Sequence, residues 1–394
     1  MIEQANRLKD VPLSKIRSIL GYANKLEAEG KSILHMEIGE PDCDSAKNIN
    51  EAAKKAIDEG KLHYTEIKGI APLREAIAGK LKRENGLDYT REEILVTYGV
   101  AHGIYLAIMA FMNEGDEILV PDPGYLVYFI MPKIAGVKIK GYSLLEKNGY
   151  QIDEEELRSH ITDKTKMILL NSPNNPTGTV LNKKSLEIVA KIAEERDLIV
   201  LSDEIYEKML YTGESYISFP SLPGMKERTI LLNGFSKYYA MTGWRLGYMA
   251  VPEPMVDPLN RLLFYNISCG NSFVQWAGIE ALEGDQSASI AMVDEYHRRR
   301  DALCGGINSI DGLSCVVPEG AFYVFVNIEK IPMSDEEFSK YLLDEVGVAT
   351  VPGSVFGENG KNYIRLSYAA SMQVIIEAVE RLERAVNKCM GRNG

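Results

Sequence analysis

The stretch MILLNSPNNPTG (Met167–Gly178), followed after one helical segment by LIVLSDE (Leu198–Glu204), decides the architecture of this chain. Each half opens with a run of four apolar residues and stops at polar, Gly or Pro residues. Between them the pattern is helical, from an N-cap at Asn182 to about Arg196. Short apolar runs without alternation are what a strand buried on both faces requires, and helices that connect parallel strands bury both faces. Buried helix fragments are the competing reading, but so short a length with abrupt polar stops favours strands.

The same unit recurs outward from this centre. ILVT (Ile94–Thr97) passes through a Gly-containing turn into an apolar helix, Val100–Met112; EILV (Glu117–Val120) stops at PDPG; TILL (Thr229–Leu232) stops at Asn233 and Gly234. Beyond about residue 285 the pattern changes to a charged helix over Ser287–Asn308, FYVFVN (Phe322–Asn327), a helix over Ser334–Glu345, YIRLS (Tyr363–Ser367) and a last helix from Met372 to Lys388. A helix near Ser14–Glu29, closed by Gly30, belongs to neither sheet and could pack on either. No repeat or linker intervenes. The chain reads as α/β: a large, mostly parallel sheet domain over residues 45–285, and a smaller, tightly docked α+β domain built from 1–44 and 286–394.

Composition fits this reading. At 394 residues about two domains are expected, and 45% hydrophobic with 25% charged residues is the ordinary globular balance. A net charge of −12 offers nothing to neutralise a phosphate backbone, so nucleic acid is not an expected partner. The longest apolar run, Gly103–Met112, is ten residues, short of the ~18 that span a membrane. The opening MIEQANRLKD has no apolar signal core, and the five cysteines are scattered without a C-x-x-C. A soluble cytoplasmic enzyme without a structural metal is expected.

The chemistry is sought at the carboxyl ends of the apolar strands, where open α/β sheets bind ligands. No dinucleotide, P-loop or nucleophile-elbow motif is present, and the five histidines form no metal-ligand spacing. Polar clusters end four strands instead: Tyr98–Ala101, the NSPNNPTG loop, Asp203–Tyr206 and Asn233–Lys237. Each alone has a plain explanation. An Asp after a strand often caps a helix, a Lys there is often solvated, and a Gly before a helix is often only a turn. Together they place a carboxylate, a phenol, an amide, a lysine and an anion-binding helix start around one pocket. A lysine amine forms a Schiff base with an aldehyde cofactor, and a nearby cation such as Arg245 lowers its pKa and also forks onto phosphate. A carboxylate such as Asp203 keeps a ring nitrogen protonated and makes the ring an electron sink. That is the outline of pyridoxal phosphate chemistry.

The segment NGFSKYYAMTGWRLG (Asn233–Gly247) resembles the cofactor-lysine signature of class I aminotransferases, enzymes of pyridoxal phosphate fold type I. Agreement continues in order through IGEPD (Ile38–Asp42), Tyr64, Gly99, Pro121-x-Pro123-x-Tyr125, Asn171–Gly178, Asp203-x-x-Tyr206 and Tyr363–Ser367, and so covers essentially the whole chain. The resemblance implies a seven-stranded large sheet and a homodimer with shared active sites. It implies pyridoxal 5'-phosphate as cofactor, with Lys237 as Schiff-base lysine and proton shuttle and Asp203 on the pyridine nitrogen. Tyr206 and Asn175 would bond the ring hydroxyl, and Tyr125 would stack on the ring. The amides of Val100 and Ala101, with Ser236 and Arg245, would hold the phosphate, and Tyr64 would reach the partner's phosphate. Arg365, helped by Asn175 and the Gly39 amide, would bind the substrate carboxylate. Two positions depart from the pattern: Gly234 stands where many relatives carry a phosphate-binding Ser, and Val100 and Ala101 offer only backbone N–H groups.

The expected reaction is transfer of an amino group from an L-amino acid, of aspartate or aromatic type, to a 2-oxo acid such as 2-oxoglutarate. A pyridoxal phosphate C–S lyase shares every residue named and is the alternative. A ligand-sensing scaffold without turnover is a third reading, disfavoured by the intact Lys237, Asp203 and Arg365.

Overall fold

A computed structural model describes residues 3–9 and 11–391. Its centre is a seven-stranded sheet ordered Ile94–Thr97, Gly247–Ala250, Thr229–Gly234, Ile199–Asp203, Thr165–Asn171, Glu117–Asp122, Lys138–Ser143. All neighbours run parallel except Gly247–Ala250, which is antiparallel to both strands beside it. Alternation across the strands explains the unbroken apolar runs. Leu95, Ile118, Met167, Leu169, Leu201, Ile230 and Leu232 enter one core with the helix Val100–Phe111. Their neighbours Leu119, Ile168, Leu170 and Val200 enter another with Leu186, Val189 and Ile192 of the helix Lys183–Glu195. Both faces are buried, so the central runs are apolar without alternation.

Local capping sets where these helices begin. Ser14, Asn182 and Ser371 each accept a hydrogen bond from the backbone N–H three residues on, satisfying a donor that the first turn leaves free. Two strands of the large sheet are not marked by apolar runs. Lys138–Ser143 is a polar edge strand, and Gly247–Ala250 begins on the last residue of the lysine signature.

A second, antiparallel sheet orders Val351–Pro352, Tyr363–Ser367, Tyr323–Asn327 and Ser314–Cys315. Val324, Val326, Ile364 and Leu366 pack with Leu303, Ile307, Ile375 and Leu382 of the helices Ser287–Ser309 and Met372–Cys389. Arg365, between Ile364 and Leu366, therefore turns to the other face, toward the large sheet. The N-terminal segment joins neither large nor antiparallel sheet: Leu34–His35 pairs in parallel with Val348–Ala349. Ala23, Leu26 and Ile33 pack there against Leu343 and Ala349.

Candidate active site

Three glycines bring the strand ends close together. A Cβ on Gly234 would lie 2.9 Å from Gly247 Cα, and one on Gly247 would lie 2.8 Å from Gly99 Cα. Side chains at these positions would push apart the strands that carry Thr97, Asn233 and Gly247. The absence of a Ser at 234 thus has a steric reason. Gly99 also adopts φ +76°, a conformation that side chains disfavour, and it turns the chain into the helix that starts at Val100.

The amides of Val100 and Ala101 open that helix, where no intrahelical acceptor exists for them. Arg245 lies directly over this start. Its guanidinium donates to the Tyr98 carbonyl at 3.3 Å and the Thr242 carbonyl at 2.8 Å, and would be 2.8 Å from a Cβ on Gly99. Ser236 is partly buried in the turn that follows Gly234.

Asp203 ends its strand in full burial. Its Oδ1 accepts from the Ile205 N–H at 3.2 Å, a turn bond, while Oδ2 accepts from the Tyr128 hydroxyl at 2.7 Å. Burial raises its pKa to about 6, opposed by the Tyr128 hydrogen bond. Tyr125 packs edge-on against Tyr128, ring centroids 5.7 Å apart. Tyr206 is buried and shares a 3.0 Å hydrogen bond with the Tyr323 hydroxyl.

Lys237 follows the neighbouring parallel strand, Thr229–Gly234, at the same end of the sheet. Its Nζ donates to the Gly39 carbonyl at 2.6 Å and lies 5.8 Å from the centre of the Tyr206 ring. Burial, then the charges of Arg365 and Arg245, lower its pKa to about 8, against a raising effect of Glu40. Arg365 is buried and donates to Asn175 Oδ1 at 3.1 Å and to the Glu37 carbonyl at 2.6 Å. Its guanidinium lies 4.4 Å from the Tyr323 ring centre. Its Nε is buried without an acceptor. A buried donor left over beside a two-donor fork fits a carboxylate ligand.

The fold thus gathers Gly39, Val100, Ala101, Tyr125, Asn175, Asp203, Tyr206, Ser236, Lys237, Arg245 and Arg365 at one edge of the sheet. Tyr64 stands apart, 93% exposed. Reading of the sequence missed Tyr128 and Tyr323, although Tyr128 follows Tyr125 by one helical turn and Tyr323 begins a strand already identified.

The family model described as Aminotransferase class I and II matches residues 31–382. The chain belongs to this family. The aromatic-amino-acid aminotransferase 2 of Thermococcus litoralis is 41% identical over 98% of both chains, and so is the aspartate aminotransferase of Pyrococcus abyssi. The solved aspartate aminotransferase of Thermus thermophilus with maleate superposes with a TM-score of 0.93 at 37% identity, covering 98% of this chain and 100% of that one. The protein is an aminotransferase of fold type I, and its cofactor is pyridoxal 5'-phosphate. Its own residues suit that group. A buried carboxylate with a raised pKa awaits a cation at Asp203, an amine of lowered pKa stands at Lys237, and Arg245 crowns a helix start.

Proposed function

We propose that this aminotransferase takes L-amino acids of aspartate or aromatic type and passes their amino group to a 2-oxo acid such as 2-oxoglutarate, with Lys237 as the lysine that carries the cofactor. The observation that carries this reading is Lys237, whose Nζ donates to the Gly39 carbonyl at 2.6 Å, lies 5.8 Å from the centre of the Tyr206 ring and has a pKa lowered to about 8 by burial and the charges of Arg365 and Arg245. Bound pyridoxal phosphate supplies an aldehyde for an amine and a ring that delocalises electrons from the substrate α-carbon. The protein does the rest. Asp203 keeps the ring nitrogen protonated, and Tyr128 steadies Asp203. Tyr125 covers the ring face. Asn175 turns its Oδ1 to Arg365, which leaves its N–H₂ donors for the ring hydroxyl. Tyr206 spends one hydrogen bond on Tyr323 and keeps capacity for the same hydroxyl. Val100, Ala101, Ser236 and Arg245 hold the phosphate. Arg365, with Asn175 and Gly39, orients the substrate carboxylate. The Lys237 amine would take the substrate α-proton and return it to the carbon that had borne the cofactor's aldehyde; a pKa lowered to about 8 suits both halves of that task.

The substrate type rests on the relatives, named for aspartate and for aromatic amino acids. The eliminating alternative gains nothing from these comparisons, since each relative reported is an aminotransferase. The division into a cofactor domain at 45–285 and a small domain of 1–44 with 286–394 follows the two sheets. A homodimer with shared sites is supported by exposed Leu62, Tyr64, Phe264 and Tyr265. The Phe264–Tyr265 segment adjoins the Val100 helix start, through His102 to Asn266 and Tyr98 to Asn271, and the Ser272 hydroxyl next to it donates to the Lys61 carbonyl. No helix of the described residues is long and apolar enough to cross a membrane. A cytoplasmic setting agrees with five scattered cysteines without a C-x-x-C.

The test is an amino-donor screen with 2-oxoglutarate, followed by the visible spectrum. Release of ammonia and pyruvate in place of amino transfer would favour the lyase. Borohydride reduction should leave the cofactor on Lys237, and a reduced adduct on any other lysine would overturn the site.

A further inference from the structure

Behind the pocket lies a buried charged brace whose Asn233 side chain accepts from the Gly234 N–H at 2.7 Å. Glu207 follows Tyr206 on the Asp203 segment, and Asn233 precedes Gly234 on the Lys237 segment. The Asn233 side-chain amide donates to Glu207 Oε1 at 2.8 Å, which ties the two segments directly. The same oxygen is ion-paired with Lys80, from the helix Ala71–Asn85. The other oxygen accepts from Asn85 at 2.6 Å, and Lys80 donates to Asn85 Oδ1 at 2.8 Å. Lys80, Glu207 and Asn233 are all buried.

A buried pair of this kind is a poor source of net stability, because desolvation offsets most of the attraction. Its geometry does something else. The carboxylate sits between two segments that carry Asp203 and Tyr206 on one side and Lys237 on the other, and anchors both to one helix. We propose that Glu207, held by Lys80 and Asn85, is a positioning residue that fixes the Lys237 turn against the Asp203–Tyr206 segment through Asn233. This rests on the assignment of Lys237 and Asp203 to the cofactor. The pocket is built on strand ends, and a loss of register between them misplaces reacting groups whose separation must be right to within a fraction of an ångström.

The test compares cofactor-free enzyme titrated with pyridoxal phosphate, and the pH transition of its visible band, with thermal stability. Asn233→Ala leaves the Lys80–Glu207 pair intact and should weaken cofactor affinity about tenfold and shift the pH transition. Glu207→Ala should do the same and lower the melting temperature as well, since buried Lys80 loses its close charged partner and keeps only Asn85 and, at 3.8 Å, Glu84. In the double variant Lys80→Met/Glu207→Gln the charges are gone but an amide oxygen still faces Asn233, and affinity should return most of the way. If Asn233→Ala and the double variant match the wild type in affinity and pH transition and differ only in melting temperature, the brace is structural and the inference fails. If Glu207→Ala does not fold, those two decide alone. Borohydride trapping of the wild type on Lys237 keeps this outcome separate from a failure of the site itself.

Discussion

The Tyr128 hydroxyl donates to Asp203 Oδ2 at 2.7 Å, in a part of the site where both residues are buried. A hydrogen bond to a charged group contributes about 1.5–3 kcal/mol, and here it favours the ionised carboxylate. Tyr128→Phe should therefore raise the Asp203 pKa above its value of about 6. At neutral pH kcat/KM should fall roughly tenfold, with the loss shrinking as pH rises and the acid limb of the profile moving upward. A profile that is only scaled down, with its acid limb in place, would show that Tyr128 does not act through Asp203.

Asp203 itself sets function against stability. Burial lifts its pKa from 3.8 to about 6. A carboxyl group with a raised folded-state pKa costs nothing below the unfolded value, and its cost is complete above the folded one. Asp203→Asn should then stabilise the cofactor-free enzyme by up to ~3 kcal/mol near pH 7 and hardly at all near pH 4. Turnover of the loaded enzyme should drop by orders of magnitude, because Asn cannot keep the ring nitrogen protonated. Equal stabilisation at both pH values would place the effect outside the titration of Asp203.

Arg365 donates from two nitrogens to Asn175 and Glu37 and keeps a third, Nε, without a protein acceptor. Arg365→Lys preserves charge but not the planar fork. KM should rise strongly for every amino acid tested, whatever its side chain, with kcat less affected. A rise confined to dicarboxylic substrates would mean that Arg365 reads the side chain instead.

How much of this was legible in the sequence depended on the physics at each position. Strands buried on both faces announce themselves, and the run Ile168-Leu169-Leu170 feeds both cores. The edge strand Lys138–Ser143 did not, because an edge tolerates lysines. The residues at strand ends stand out in the sequence because ligand chemistry concentrates there and because the Lys237 segment matches a family signature. Tyr128 was missed because its partner comes from a strand seventy-five positions away in the chain. Tyr323 lies inside the strand FYVFVN, where nothing local shows that its hydroxyl meets Tyr206. Contacts of that kind depend on which strands are neighbours, and sequence alone does not order them.

Gly234 offers a test of steric against chemical reasoning. A Ser there would match many relatives and add a phosphate ligand. Here its Cβ would meet Gly247 Cα at 2.9 Å and the Leu246 carbonyl oxygen at 3.0 Å, backbone atoms that cannot swing aside. Gly234→Ser should cost about 1–3 kcal/mol of stability and fail to tighten the cofactor. A variant that melts at the wild-type temperature and binds pyridoxal phosphate more tightly would show that the strands have room.

Tyr64 is 93% exposed, an unusual place for a large aromatic ring that the resemblance assigns to a phosphate site. Both facts agree if the ring works in the other subunit of a two-fold dimer. Such a dimer has two equivalent composite pockets. Combine a subunit carrying Tyr64→Ala with one carrying Lys237→Ala. If Tyr64 acts across the interface, one pocket takes both lesions and the other takes neither. The mixed dimer should then recover about half the wild-type activity per dimer, by that symmetry. If Tyr64 acts within its own subunit, each pocket holds one lesion and nothing is rescued. The net charge of −12 does not oppose pairing, because salt screens exposed charges beyond roughly 8 Å and an interface core is largely apolar. A mixed dimer no more active than the Tyr64→Ala parent would remove Tyr64 from the partner's pocket and leave its exposure to another cause.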